Sequence, residues 1–398
     1  MRRHVRAAAL FAWILTLALA DARGTPLARR PMVQGVDIEV PFSPAPLRIA
    51  GQRHLGYELH VTNFRTADVT LLRVEVVDAD RGVAIADLFD AALAARLGQP
   101  GVDPAPADPR VVGGGRRAVL FAWLPLDEAT PAPVRLEHRI ELEIARPSGP
   151  ERTVVVGGGL EVRADSPLVL GAPLRGGPWV ALYDPLLQHG HRTSIYAVGG
   201  RARIPARFAV DFIRLDERGA HARGDASRVA SWLGYGADVL AVADGVVADA
   251  RDDIAEDAAI GRSATPIPLE NASGNYVVLD LGGGRHAFYE HLKSGSVRVR
   301  AGERVRAGAV IGLLGNTGSS SSGPHLHFHV ADATSPLAAE GMPYVFRDFR
   351  VLGAYPTIDA FDAGGPWGEA PRAAAGPRRL ELPAPNTVVT FDGELAAE

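Results

Sequence analysis

Apolar and polar positions alternate along most of this chain. Val36-Asp-Ile-Glu-Val40 and Leu55-Gly-Tyr-Glu-Leu-His-Val61 alternate with period 2, and the strand-like runs Val69 to Val77, Ala118 to Trp123, His138 to Ile144 and Thr153 to Val156 follow. Successive strand side chains point to opposite faces, so each run predicts a strand with one buried face. Turn residues separate the runs, and strands at this spacing predict an immunoglobulin-like β-sandwich over residues 32–165. Ile85 to Leu97 predicts the one helix, an insertion, and Pro100 to Pro109 a loop. This half shows no cluster of ligands or nucleophiles and reads as an accessory domain.

Residues 166–184 read as a linker. The wider stretch 163–206 is too long and too rich in Trp, Tyr and His for a mere spacer, which predicts that it wraps a second domain at 185–355. There Arg207 to Ile213 alternates, and Asp238 to Val247 predicts a hairpin through Asp244-Gly245. Asn275 to Leu281 turns through three glycines into His286 to Leu292, and strands follow at Val297 to Val305 and Ala309 to Leu314. Residues 251–273 form a long insertion, of the kind that borders a site. After Tyr355 the chain becomes rich in Ala, Pro and Gly, so residues 356–398 are expected to be a disordered tail. The fold class expected is all-β.

One run carries chemistry. Gly315-Asn-Thr-Gly-Ser-Ser-Ser-Ser-Gly-Pro-His-Leu-His-Phe-His-Val330 begins as a turn and ends as a strand. Period 2 sends Leu326, Phe328 and Val330 to one face and His325, His327 and His329 to the other. An imidazole row on a rigid strand suits a zinc site.

Composition narrows the possibilities. The chain has 398 residues, a net charge of -4 and no cysteine. The charge argues against nucleic acid as the main partner. Without cysteine, any metal must be held by His, Asp or Glu. Residues 1–23 read as a signal peptide: a basic start at Arg2-Arg3, an apolar run from Ala7 to Ala20, and small residues for cleavage. No later segment is long and apolar enough to span a membrane, so the mature protein is expected in the periplasm or outside the cell.

Tyr289-Glu-His-Leu292, Val299-x-x-Gly302-x-x-Val305-x-x-Gly308-x-x-Ile311-Gly312, Gly315-Asn-Thr-Gly318 and His325-Leu-His327 stand in one order. Together with Asp238 to Val247 they resemble the lysostaphin-type zinc metallopeptidases, extracytoplasmic enzymes that cut peptide bonds in peptidoglycan. The resemblance covers roughly residues 185–350. Its Val-x-x-Gly part also resembles biotinyl and lipoyl carrier hairpins, but these present a lysine at a turn occupied here by Asp244-Gly245. What the resemblance implies is a small antiparallel β-sheet structure with a groove, a Zn2+ cofactor and peptidoglycan peptides as substrate. It implies Asp211 and His327 as metal ligands, with His291 and His325 flanking the catalytic water. A protein partner on the N-terminal domain is left open.

One position departs from the family. Its first histidine ligand usually stands four residues before the aspartate, where this chain has Arg207. Arginine stays protonated and cannot bind zinc. His191, His189, His221 and His329 are left as third ligand. His191 is preferred, because a strand starting there could turn at Gly199-Gly200 and run back beside Arg207 to Phe212. Arg207 also keeps a rival reading open, a degenerate wall-binding or hydrolase-regulating protein. Glu290, where the family has a small residue, has no account from sequence.

Overall fold

The computed structural model describes residues 35–186, 190–261, 267–319 and 323–391. The expected signal peptide and His189 lie outside the described residues.

The first half is ten strands. They are β1 (Asp37–Glu39), β2 (Leu47–Ile49), β3 (Gln52–Thr62), β4 (Val69–Asp78), β5 (Val83–Phe89), β6 (Leu97–Gly98), β7 (Val111–Val112), β8 (Arg117–Pro125), β9 (Arg135–Ile144) and β10 (Glu151–Glu161). One sheet runs β1-β3-β8-β6 with β2 on β3, and the other runs β10-β9-β4-β5 with β7 on β4. Their facing sides share one core, with Leu55, Tyr57, Leu59 and Val61 on one sheet and Leu71, Val74, Ile140 and Leu142 on the other. β9 shows why: Leu136, His138, Ile140, Leu142 and Ile144 are buried while the intervening Arg and Glu residues face outward. The expected helix over Ile85 to Leu97 is a correction. That stretch pairs as β5, then forms only the short α1 (Asp90–Ala94) before β6. β5 is the edge strand of its sheet and buries only Leu88, so it offers no apolar face of helical period.

The second half supplies β11 (Leu168–Leu170), β12 (Gly176–Leu182), β13 (Tyr196–Val198), β14 (Arg201–Arg203), β15 (Val210–Arg214), β16 (Asp238–Leu240), β17 (Gly245–Arg251) and β18 (Asn275–Asp280). It continues with β19 (His286–Leu292), β20 (Arg304–Val305), β21 (Val310–Leu313), β22 (Leu326–Ala331), β23 (Tyr344–Ala354), α2 (Ile358–Asp362), β24 (Gly376–Glu381) and β25 (Thr387–Phe391). The large sheet runs β11-β23-β25-β12-β15-β22-β19-β18-β17-β20, with β24 on β23. All its pairings are antiparallel except β11 with β23. The fold is all-β, apart from two five-residue helices among the described residues.

Three expectations are corrected here. The stretch read as a linker, 166–184, holds β11 and β12, and β12 lies inside the sheet between β25 and β15. The stretch read as a disordered tail forms β24 and β25 up to Phe391, and β25 lies between β23 and β12. Its Val388, Val389 and Leu382 are fully buried, so a short apolar run finds partners that composition averages conceal. Asp238 to Val247 is not a hairpin: β16 pairs with β21, while β17 pairs with β18 and β20. The described residues from Gly35 to Phe391 form one compact unit, so the sandwich and the large sheet are not separate bodies.

Candidate metal centre

β22 is buried on both faces. Leu326, Phe328 and Val330 enter the main core, as the alternation requires. The histidine face is covered as well, and His325, His327 and His329 are each nine-tenths or more buried. β22 lies between β15 and β19, which sets three side chains in a row. Asp211 on β15 and Glu290 on β19 both stand opposite His327.

His191 closes the cluster from outside the sheet. It opens a 3-10 turn, His191–Thr193. The hairpin that follows, β13 with β14, turns at Gly199-Gly200 as expected, but among the described residues β13 pairs with β14 alone and not with β15. His191 reaches the site from its turn instead. Its Nε2 is 3.2 Å from Asp211 Oδ2, and His327 Nδ1 is 2.9 Å from Asp211 Oδ1. One donor atom from each of His191, Asp211 and His327 falls within 4.8 Å of the others. Tetrahedral zinc with bonds near 2 Å needs donors about 3.3 Å apart, so this His, Asp, His set fits zinc. His329 stacks on Phe288 with ring centroids 4.5 Å apart, and His221 packs on Trp232 at 4.4 Å. Neither is in that cluster.

Two more histidines face the triad. His325 Nε2 lies 3.6 Å from Asp211 Oδ1, and the His291 and His325 ring centroids are 4.8 Å apart. Each ring is oriented by a carbonyl: Nδ1 of His291 donates to Thr317 O at 2.8 Å, and Nδ1 of His325 to Gly323 O at 2.7 Å. With Nδ1 protonated, Nε2 is the basic nitrogen of each neutral ring. Burial, and then the neighbouring His325 and His327, hold His291 well below the usual imidazole range. Burial alone would raise the Asp211 carboxyl, but the surrounding histidines outweigh it and hold the group well below the carboxylate range.

His291 has φ +62°, a left-handed backbone that a non-glycine residue adopts only under constraint. The constraint is visible. Its N–H donates to Ser273 O, and Thr317 grips both ends of the turn: Oγ1 accepts from Asn275 N and donates to Leu292 O, each at 2.8 Å. Gly274 and Gly318 let these segments touch. A Cβ on Gly318 would lie 2.4 Å from Ala272 O, and one on Gly274 about as near to Thr317. The Gly315 to Gly318 motif is thus the strut behind His291. Thr317 was not singled out from sequence, although its motif was.

Arg207 corrects an expectation. The alternating strand expected from Arg207 begins only at Val210, so Arg207 lies before β15. Its guanidinium is buried and turned away, with Nε 2.7 Å from Glu58 Oε2 and Nη2 2.8 Å from Glu340 Oε2. No sequence signal near Arg207 announces Glu58. Glu290 is also accounted for in place: burial pushes its carboxyl up to about 8, and Oε1 has no hydrogen-bond partner among the described residues. A cavity of about 370 Å³ joins these groups, lined by His191, Asp211, Glu290, His291, His325 and His327 among others. Ala272 and Ser273, at the end of the 251–273 insertion, border it.

Comparison with known proteins now bears on this geometry. The family model described as Peptidase family M23 matches residues 231–339. That segment belongs to peptidase family M23. The M23 segment contains His291, His325 and His327; His191 and Asp211 lie before it. The chain is 40% identical over 67 residues to the peptidoglycan DD-endopeptidase ShyA of Vibrio cholerae serotype O1, covering 17% of this chain and 15% of that one. It is 33% identical over 95 residues to an uncharacterized metalloprotease of Buchnera aphidicola subsp. Baizongia pistaciae, covering 24% and 20%. These matches thus span a fifth or less of the curated relatives' length. The catalytic domain of lysostaphin from Staphylococcus simulans aligns at 21% identity over 42% of this chain and 88% of that one, with a TM-score of 0.23. That superposition is too loose to support an argument.

Proposed function

We propose that this chain is an exported zinc endopeptidase that hydrolyses peptide bonds of bacterial cell-wall peptidoglycan. The observation that carries the reading is the His191, Asp211 and His327 donor set, flanked in one cavity by His291 and His325. The M23 segment and the likeness to ShyA, a peptidoglycan DD-endopeptidase, support it. No helix among the described residues is long and apolar enough to cross a membrane. Export rests on the expected signal at residues 1–23.

Zinc held by the three donors would acidify a water to a pKa of about 7 and polarise the scissile carbonyl. The chain's own residues supply the proton traffic. Nε2 of His325 and Nε2 of His291 are oriented as acceptors by their Nδ1 hydrogen bonds. One accepts the proton of the attacking water, and the pair returns a proton to the leaving amine. Each such transfer is worth about 10²–10⁴ in rate. Arg207 lends little support to a degenerate site, because Glu58 and Glu340 hold its charge away from Asp211.

The test is zinc content of the purified protein together with digestion of isolated sacculi. One zinc per chain and release of soluble peptide fragments are expected. A folded protein that takes up zinc but releases nothing, from sacculi or from cross-linked peptides, would favour the wall-binding alternative.

A further inference from the structure

The departure at Arg207 and the replacement ligand His191 meet at one carboxylate, and it belongs to the sandwich. Glu58 stands on β3 and is buried between two arginines. Its Oε1 is 2.8 Å from Arg192 Nη2, and its Oε2 is 2.7 Å from Arg207 Nε. Arg192 is the residue after His191. Its guanidinium also donates to the carbonyls of Tyr57 and Ala122 on the sandwich, and to Pro185 on the far side of the 186–190 stretch. Arg192 thus ties its own end of the segment bearing His191 to β3 and β8, and holds Pro185 at the other end. The guanidinium lies 5.2 Å from the Trp123 ring, and that of Arg207 lies 4.6 Å from Phe42. With Glu340, which Arg203 also approaches at 3.9 Å, each buried cation of the cluster has an anion beside it, which is how buried charges are tolerated.

The sequence consequence is direct. Neighbouring side chains of a 3-10 turn, with three residues per turn, point about 120° apart, so with Arg192 fixed in the sandwich interface His191 is held toward Asp211. The other oxygen of the same carboxylate holds Arg207 out of the metal site. We propose that Glu58 is a positioning residue of the metal centre: through Arg192 it places His191, and through Arg207 it keeps a cation away from Asp211. The sandwich is then a working part of the site rather than an accessory. This rests on the reading of His191 as a metal ligand.

Zinc affinity of the full chain, measured by competition with a chromophoric chelator, tests it. Glu58→Gln and Arg192→Met are each expected to weaken zinc binding about 10- to 100-fold, the range seen when the groups that orient metal ligands are removed. Arg73→Met, which breaks the exposed ion pair with Asp87, is expected to leave it unchanged. Circular dichroism and a melting curve accompany each variant. Should Glu58→Gln fail to fold, Arg192→Met decides, because it leaves Glu58 paired with Arg207. Cobalt substitution adds a readout of coordination: the visible spectrum of the Arg192→Met protein should move toward that of His191→Ala. Folded variants with wild-type zinc affinity would overturn the proposal, as would loss of folding in both beside an intact control. If wild-type protein binds no zinc, the metal reading itself fails. If His191→Ala keeps wild-type affinity, the assignment of that ligand fails.

Discussion

Deleting residues 356–398 should unfold the protein rather than trim it. The perturbation removes β24 and β25, and β25 lies between β23 and β12. Leu382, Val388 and Val389 are fully buried and Phe391 nearly so. Fully burying one such side chain contributes about 1.5–3 kcal/mol, so the four together contribute roughly 6–12 kcal/mol. A whole domain is stable by only about 5–15 kcal/mol. The deletion also strips the ladder from one edge of β12 and from both edges of β23, and removes the Phe391 ring from Phe212, Phe346 and Phe349. β12 pairs in turn with β15, where Leu182 stands opposite Asp211, so the damage reaches the metal centre. The assay is thermal melting and limited proteolysis of the chain ending at 355, beside full-length Phe391→Ala. Truncation of one buried Phe should cost about 3–5 kcal/mol and lower the melting temperature clearly. A shortened protein that melts cooperatively within a few degrees of the full chain would refute the reasoning.

Other expectations are narrower. His327→Ala should lose both zinc and activity, whereas His325→Ala should keep zinc and lose about 10²–10⁴ in rate; equal zinc loss in both would show that the roles are misassigned. Gly318→Ala must place a Cβ at φ +77° against Ala272 O, at a cost of about 1–3 kcal/mol, and should depress activity by displacing Thr317 from His291; an unchanged melting temperature would count against the strut. Burial holds the His138 pKa down at about 4, while the unfolded value is near 6.5. Below pH 6.5 the unfolded chain therefore binds a proton that the folded chain refuses. Stability should fall between pH 6.5 and 4 by up to about 3 kcal/mol from this group, and urea titrations should show a shallower fall in His138→Gln.

The strand pattern was legible because period 2 is a local property. Leu326, Phe328 and Val330 face the core and the histidines face the other way, as the alternation alone requires. The resemblance likewise rested on short motifs, each readable within a few residues. The pairings of strands were not legible. Nothing within β12 shows that its neighbours are β15 and β25, the second about 200 residues away, and nothing in an Ala, Pro and Gly-rich tail marks the two segments that the sheet takes up as β24 and β25. His291 could be named as a site residue from its motif, but its left-handed backbone follows from Thr317 and Ser273 folding against it. Arg207 is the clearest case. From sequence it was a fixed cation four residues from a metal ligand. Only tertiary structure brought Glu58, 149 residues earlier, to its side. The direction a long charged side chain takes is decided by where a buried partner can neutralise it, and that partner is selected by the packing of two sheets rather than by neighbours along the chain.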